Sequence, residues 1–82
     1  MLRIHKVEPL EGLAARLVLT DGSVRTVDLA PLMQGPIFEP LLRDRHLFLA
    51  VSVDPELGTL VWPNGADLDP DVVIEGLAPA EP

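Results

Sequence analysis

Asp67, Asp69 and Asp71 stand at alternate positions in Asp-Leu-Asp-Pro-Asp, the densest group of reactive side chains in the sequence. Three carboxylates spaced this way open a calcium loop. An EF-hand goes on to a Gly after the third ligand and a Glu at the twelfth position, whereas Val72 and Ala78 occupy those places here. Helix capping accounts for the same residues without a metal. Asp69 precedes Pro70, so Asp69 is read as the N-cap, Pro70 as the first helical residue and Asp71 as a charge near the positive end of the helix dipole. Leu68 before the cap and Val73 at the fourth helical position would then staple the helix entry. Gly76 suits its end.

Other chemistry has little foothold. His5 and His46 are the only histidines, with no companion ligand or nucleophile nearby in sequence, and both read as surface or boundary residues. Ser23 and Ser52 lie outside any nucleophile-elbow pattern. There is no cysteine, which removes thiolate catalysis, disulfides and cysteine-based metal sites together. Each glycine is isolated, so no glycine-rich phosphate loop exists. No catalysis, cofactor or metal is expected. Trp62, the only Trp, stands beside Pro63-Asn64-Gly65. It reads either as the anchor of a small core, with its N–H on a backbone carbonyl, or as an interface contact; the need of a small core for its largest side chain favours the first.

The charges that surround these residues are unevenly placed. The 82 residues hold 6 basic and 13 acidic side chains, a net charge of −7. Every Lys and Arg falls between Arg3 and Arg45, while the chain beyond carries Asp54, Glu56, Asp67, Asp69, Asp71, Glu75 and Glu81. Phosphate neutralisation needs clustered bases, so direct binding of nucleic acid or of an anionic membrane is not expected. An acidic half would instead steer a basic protein toward itself. No apolar run reaches the roughly 20 residues of a membrane span and the N-terminus lacks a signal-like apolar stretch, so a cytoplasmic protein is expected.

These residues need elements to hold them, and the length supports one domain with a small core. Residues 2–7 alternate as a half-buried strand, broken by Pro9 and Gly12. Residues 13–20 and 23–29 form a hairpin across Asp21-Gly22. A strict two-residue turn would pair Val18 with Arg25. A three-residue loop with Gly22 in a bulge pairs Leu13 with Leu29 and Ala15 with Val27 and gathers Leu17 and Leu19 on one face, so segregation favours the bulge. Short helical pieces follow, starting near Asp28 and Pro31, again over residues 39–42 and as a further turn over 44–48, with Phe38, Leu41 and Leu42 at helical spacing. Residues 47–53 and 59–62 read as a second hairpin around Asp54–Gly58, ended at Trp62 by Pro63-Asn64-Gly65. The expected fold is α+β: a small antiparallel sheet built from two β-hairpins with short helices packed on it, over residues 1–76, with 77–82 a mobile tail.

Three segments together carry a family resemblance: Thr20-Asp-Gly-Ser with Val27-Asp-Leu, then Gly35-Pro-Ile-Phe-Glu-Pro-Leu, then Leu60-Val-Trp-Pro-Asn-Gly-Ala-Asp-Leu-Asp-Pro-Asp. Over residues 3–76 the chain resembles the bacterial domain-of-unknown-function family 2442, most specifically at Trp62 to Pro70. The resemblance implies a small α+β fold. It also implies a toxin–antitoxin-like pairing, since the family's genes often neighbour those of another small protein family. Some members add a helix-turn-helix domain. With six residues after Gly76 no such domain is expected here, and any DNA role would fall to a partner. The resemblance supplies no catalytic residues.

The expected function is therefore an interaction module, antitoxin-like, that docks a small basic partner through its acidic C-terminal half. Trp62, Asn64, Asp67, Asp69 and Asp71 are the candidate contacts. The alternative is a small-molecule or metal-binding domain without catalysis, its cleft near Asn64 and Asp67. Two hairpins also leave open sheet edges through which the chain could form a homodimer.

Overall fold

The computed structural model describes residues 2–75. The fold is the α+β arrangement expected, its antiparallel strands laid out as two three-stranded meanders with helical turns between them. The first holds β1 (Ile4–Pro9), β2 (Ala14–Leu19) and β3 (Val24–Asp28), in that order.

The β2–β3 register pairs Ala15 with Val27 and Leu17 with Arg25, which is the bulged alternative. Leu19 accepts from Gly22 N and donates to Ser23 O, both at 2.9 Å, and Gly22 adopts φ 87°. This places Ala15, Leu17 and Leu19 in the core and leaves Arg16 and Thr26 in solvent.

β1 departs from the expected strand in two ways. A bulge at His5 shifts the register between Ile4↔Leu19 and Lys6↔Val18. Strict alternation would turn Ile4, Lys6 and Glu8 inward together; the bulge instead aims Ile4 and Val7 at the core and sends Lys6 and Glu8 outward. The strand also continues through Pro9 rather than stopping before it. Pro9 faces Ala15 on the rim of the sheet, where the missing N–H interrupts no ladder bond.

After β3 the chain makes 3-10 turns at Ala30–Leu32 and Pro36–Phe38, the first begun by Asp28 Oδ1 accepting from Ala30 N at 3.1 Å. Helices α1 (Glu39–Arg43) and α2 (Arg45–Leu49) follow. Phe38 and Leu41 are buried, but Leu42 is half exposed, because α1 is too short to bury more than one stripe. Residues 47 and 48, which the sequence offers both to the helical turn and to the following strand, are helical, and the helix runs on through Leu49. Asp44 Oδ1 accepts from His46 N at 3.0 Å and caps α2, which carries Phe48 into the core.

The second meander contains β4 (Ser52–Val53), β5 (Leu60–Val61) and β6 (Asp67–Leu68), followed by helix α3 (Pro70–Glu75). The turn 63–65 does not end the sheet; it leads into β6, a strand not expected from sequence. Its construction repeats the first turn. Trp62 O accepts from Gly65 N and Trp62 N donates to Ala66 O, both at 3.0 Å, with Gly65 at φ 94°.

The two sheets meet along β1. Ile4 N donates to Gly58 O at 3.3 Å and Arg3 Nη1 to Glu56 O at 2.9 Å. A Cβ on Gly58 would lie 2.5 Å from Arg3 Cβ, and φ is +68°, so this approach requires glycine. Opposite, the Arg45 guanidinium lies over the Phe48 ring at 5.2 Å and donates to Gly12 O and Leu10 O, tying α2 to the β1–β2 turn.

Candidate functional site

The residues singled out in sequence divide into a structural group and an exposed group. Trp62 is 4% exposed and lies in the core. Its indole Nε1 donates to Phe48 O at 3.1 Å, and its ring stands edge-on to Phe38 at 6.2 Å and tilted to Phe48 at 6.3 Å. All three aromatic side chains thus form one cluster, and Trp62 is withdrawn from the candidate contact surface. Asn64 is exposed, but its side chain is committed: Nδ2 donates to Ile37 O at 2.9 Å and Oδ1 accepts from Ala66 N at 3.1 Å. It braces the β5–β6 turn against the 3-10 turn.

Asp69 caps α3 as expected, with Oδ1 accepting from Asp71 N at 2.8 Å and its carbonyl from Val73 N at 3.1 Å. Leu68 and Val73, the staple pair, are both buried. Asp67, Asp69 and Asp71 are exposed. Beside them runs an open groove of about 270 Å³, lined by Leu32, Gln34, Phe38, Asp67, Leu68, Asp69 and Val72. Asp67 and Asp69 come together on this groove; Asn64 does not line it, and Asp71 follows at the start of α3.

The cleft expected near Asn64 and Asp67 is met at Asp67 only, and most of the groove's walls are not legible in sequence because they come from distant segments. Leu32 and Phe38 arrive from the 3-10 turns, while Leu68 and Val72 come from β6 and α3. A trace of it is visible beforehand in Leu68, between two of the aspartates, and Val72, directly after the third.

Electrostatically the two halves of the chain differ. Arg16 pairs with Glu8 and Arg43 with Glu39, each at 2.9 Å. Arg3, Arg25 and Arg45 donate to backbone carbonyls. The arginines are thus engaged where they stand, and among the described residues no Lys or Arg forms an ion pair with Asp67, Asp69 or Asp71.

The remaining polar residues stay apart. His5 occupies the β1 bulge and His46 lies on α2, its Nδ1 4.0 Å from Asp44 Oδ1. Ser23 Oγ donates to Asp21 Oδ1 at 2.6 Å inside the first turn. Among the described residues, neither serine is hydrogen-bonded to a histidine, and no cluster of three His, Asp or Glu is arranged to hold a metal ion. No helix among them is long and apolar enough to cross a membrane.

A family model described as "Protein of unknown function (DUF2442)" matches residues 4–79. The chain belongs to this family. The match spans both meanders, the groove and all of the exposed aspartates. No curated protein and no solved structure matches the chain. The resemblance seen in the sequence is thereby established, and the paired meanders with short helices give this DUF2442 chain its α+β architecture.

Proposed function

We propose that this DUF2442 chain is a binding module without catalysis, whose acidic groove between β6, α3 and the 3-10 turns receives a small basic protein. One observation carries the reading. Asp67 and Asp69 rim a groove lined by Leu32, Phe38, Leu68 and Val72, and among the described residues no Lys or Arg pairs with either aspartate. Apolar surface supplies contact area, and the aspartates attract and orient a cationic side chain laid across it. An antitoxin-like role, as the family resemblance implies, fits a module of this kind. The burial of Trp62 moves the apolar part of the contact from that ring to the groove floor.

The test is capture of interacting proteins from the native cell extract by the wild type and by the Asp67→Asn/Asp71→Asn double variant. Both substitutions lie on exposed side chains and leave the Asp69 cap in place. We expect one small basic protein, retained near 0.1 M salt and released as the screening length falls from about 10 Å toward about 3 Å at 1 M. The double variant should lose it while still unfolding cooperatively, its unfolding temperature lowered by no more than the few degrees that the lost charge at the start of α3 accounts for. Retention that ignores both salt and the double substitution would overturn the reading, as would the absence of any basic protein.

A further inference from the structure

We infer that β3 is a self-pairing edge: two copies of this chain join antiparallel along Val24–Asp28, with Thr26 facing its own copy on the two-fold axis. The hydrogen-bonding parity of β3 comes first. Leu19 N donates to Ser23 O and Leu29 N to Leu13 O, so the odd-numbered residues of this strand bond toward β2. The N–H and C=O groups of Val24, Thr26 and Asp28 therefore point away from the sheet, and among the described residues they have no backbone partner.

The two rims of this sheet are treated differently. β1 carries a bulge at His5, a lysine at position 6 and Pro9, and it lies against the Gly58 segment. Those are the devices that keep a sheet edge from recruiting another strand. β3 has neither proline nor bulge, and its sequence Val-Arg-Thr-Val-Asp is rich in β-branched residues with Val24 59% exposed.

The occupant is set by self-complementarity. A two-fold axis normal to the sheet keeps side chains on their own face, so only even residues pair with even ones. Centring the axis on Thr26 engages every outward group: Val24 with Asp28 of the second copy, Thr26 with Thr26, and Asp28 with Val24. Arg25 then falls opposite Val27 rather than another arginine, so no like charges stand directly opposite. Val24–Asp28 contains one Arg and one Asp, so two chains of net charge −7 would meet at a locally neutral strip. The two three-stranded sheets would become one sheet of six. Arg25 ties this strand to α3 through Ile74 O at 2.8 Å, but no residue of Val24–Asp28 lines the acidic groove, and the pairing does not depend on the groove's function.

The test uses light scattering on the full chain together with Thr26→Lys and Thr26→Glu. Thr26 is exposed, so neither change touches the core. The wild type should scatter at twice 8.9 kDa with slow amide exchange at Val24, Thr26 and Asp28. Each variant alone should fall to 8.9 kDa, because like charges meet on the axis, and an equal mixture of the two should regain the doubled mass. A folding defect would not be rescued by mixing. A wild-type monomer, or a dimer indifferent to both variants, would overturn the inference; so would a monomer in which those amides are protected, since the chain itself would then occupy the edge.

Discussion

At the scale of single residues, the side chains that looked most available for chemistry are largely committed to the fold. Trp62 binds the Phe48 carbonyl and packs between Phe38 and Phe48; Asn64 bridges two turns; Asp69 caps α3. Asp21 is the plainest electrostatic case. The Ser23 hydroxyl, then the Ser23 backbone N–H, hold its carboxyl below the ordinary carboxylate value, and the charge of Arg25 adds to them. A group whose folded pKa is depressed contributes stability above its unfolded pKa and loses that contribution as pH falls through the folded value. Urea unfolding of Asp21→Asn should therefore show lower stability than wild type near neutrality, with the two curves converging in acid. A constant difference across that range would assign the effect to turn geometry alone.

At the scale of elements, one turn design appears twice, at residues 20–22 and 63–65, each ending in a left-handed glycine whose N–H returns to the last strand residue. Nothing lies within 4 Å of a Cβ on Gly22, and only Ile37 Cδ1, at 3.9 Å, approaches one on Gly65. Substitution cost is therefore set by backbone conformation. Gly22→Ala and Gly65→Ala should each lose about 1–2 kcal/mol, and Gly22→Asn less, because asparagine visits the left-handed region more readily. Thermal unfolding would measure this as a drop of roughly 4–8 °C per kcal/mol in a domain of this size. Unequal losses would mean that the two turns are not equivalent.

Elements also show how far the sequence could be read. The first hairpin's register was legible because only the bulged pairing segregates Arg16 and Thr26 from Leu17 and Leu19. The α3 start was legible from Asp69-Pro70-Asp71, whose cap chemistry is local. β6 was not, since two strand residues between a turn and a helix show no periodicity, and its pairing with Leu60 is a tertiary fact. Residues 47–49 were ambiguous, falling between a helical turn over 44–48 and a strand over 47–53, because an apolar run of that length suits a strand or a buried helix equally; the cap at Asp44 decides for the helix. The helix end expected at Gly76 and the tail expected over residues 77–82 lie outside the described residues.

At the scale of the whole molecule, charge was legible and shape was not. Seven acids and no base after residue 45 are plain in the sequence, whereas the groove they border forms only when the 3-10 turns are laid against β6 and α3. Charge sets the rate and salt dependence of an encounter, and the groove floor sets where it settles.

The most direct test of that account is an amide chemical-shift map of the labelled chain titrated with the basic protein recovered at low salt. Perturbations should centre on Leu32, Phe38, Asp67, Leu68 and Val72, with the outer face of the first sheet around Arg16 and Thr26 unmoved. Perturbations centred on that outer face, or on Arg3, Ile4 and Gly58 where the two sheets meet, would contradict it.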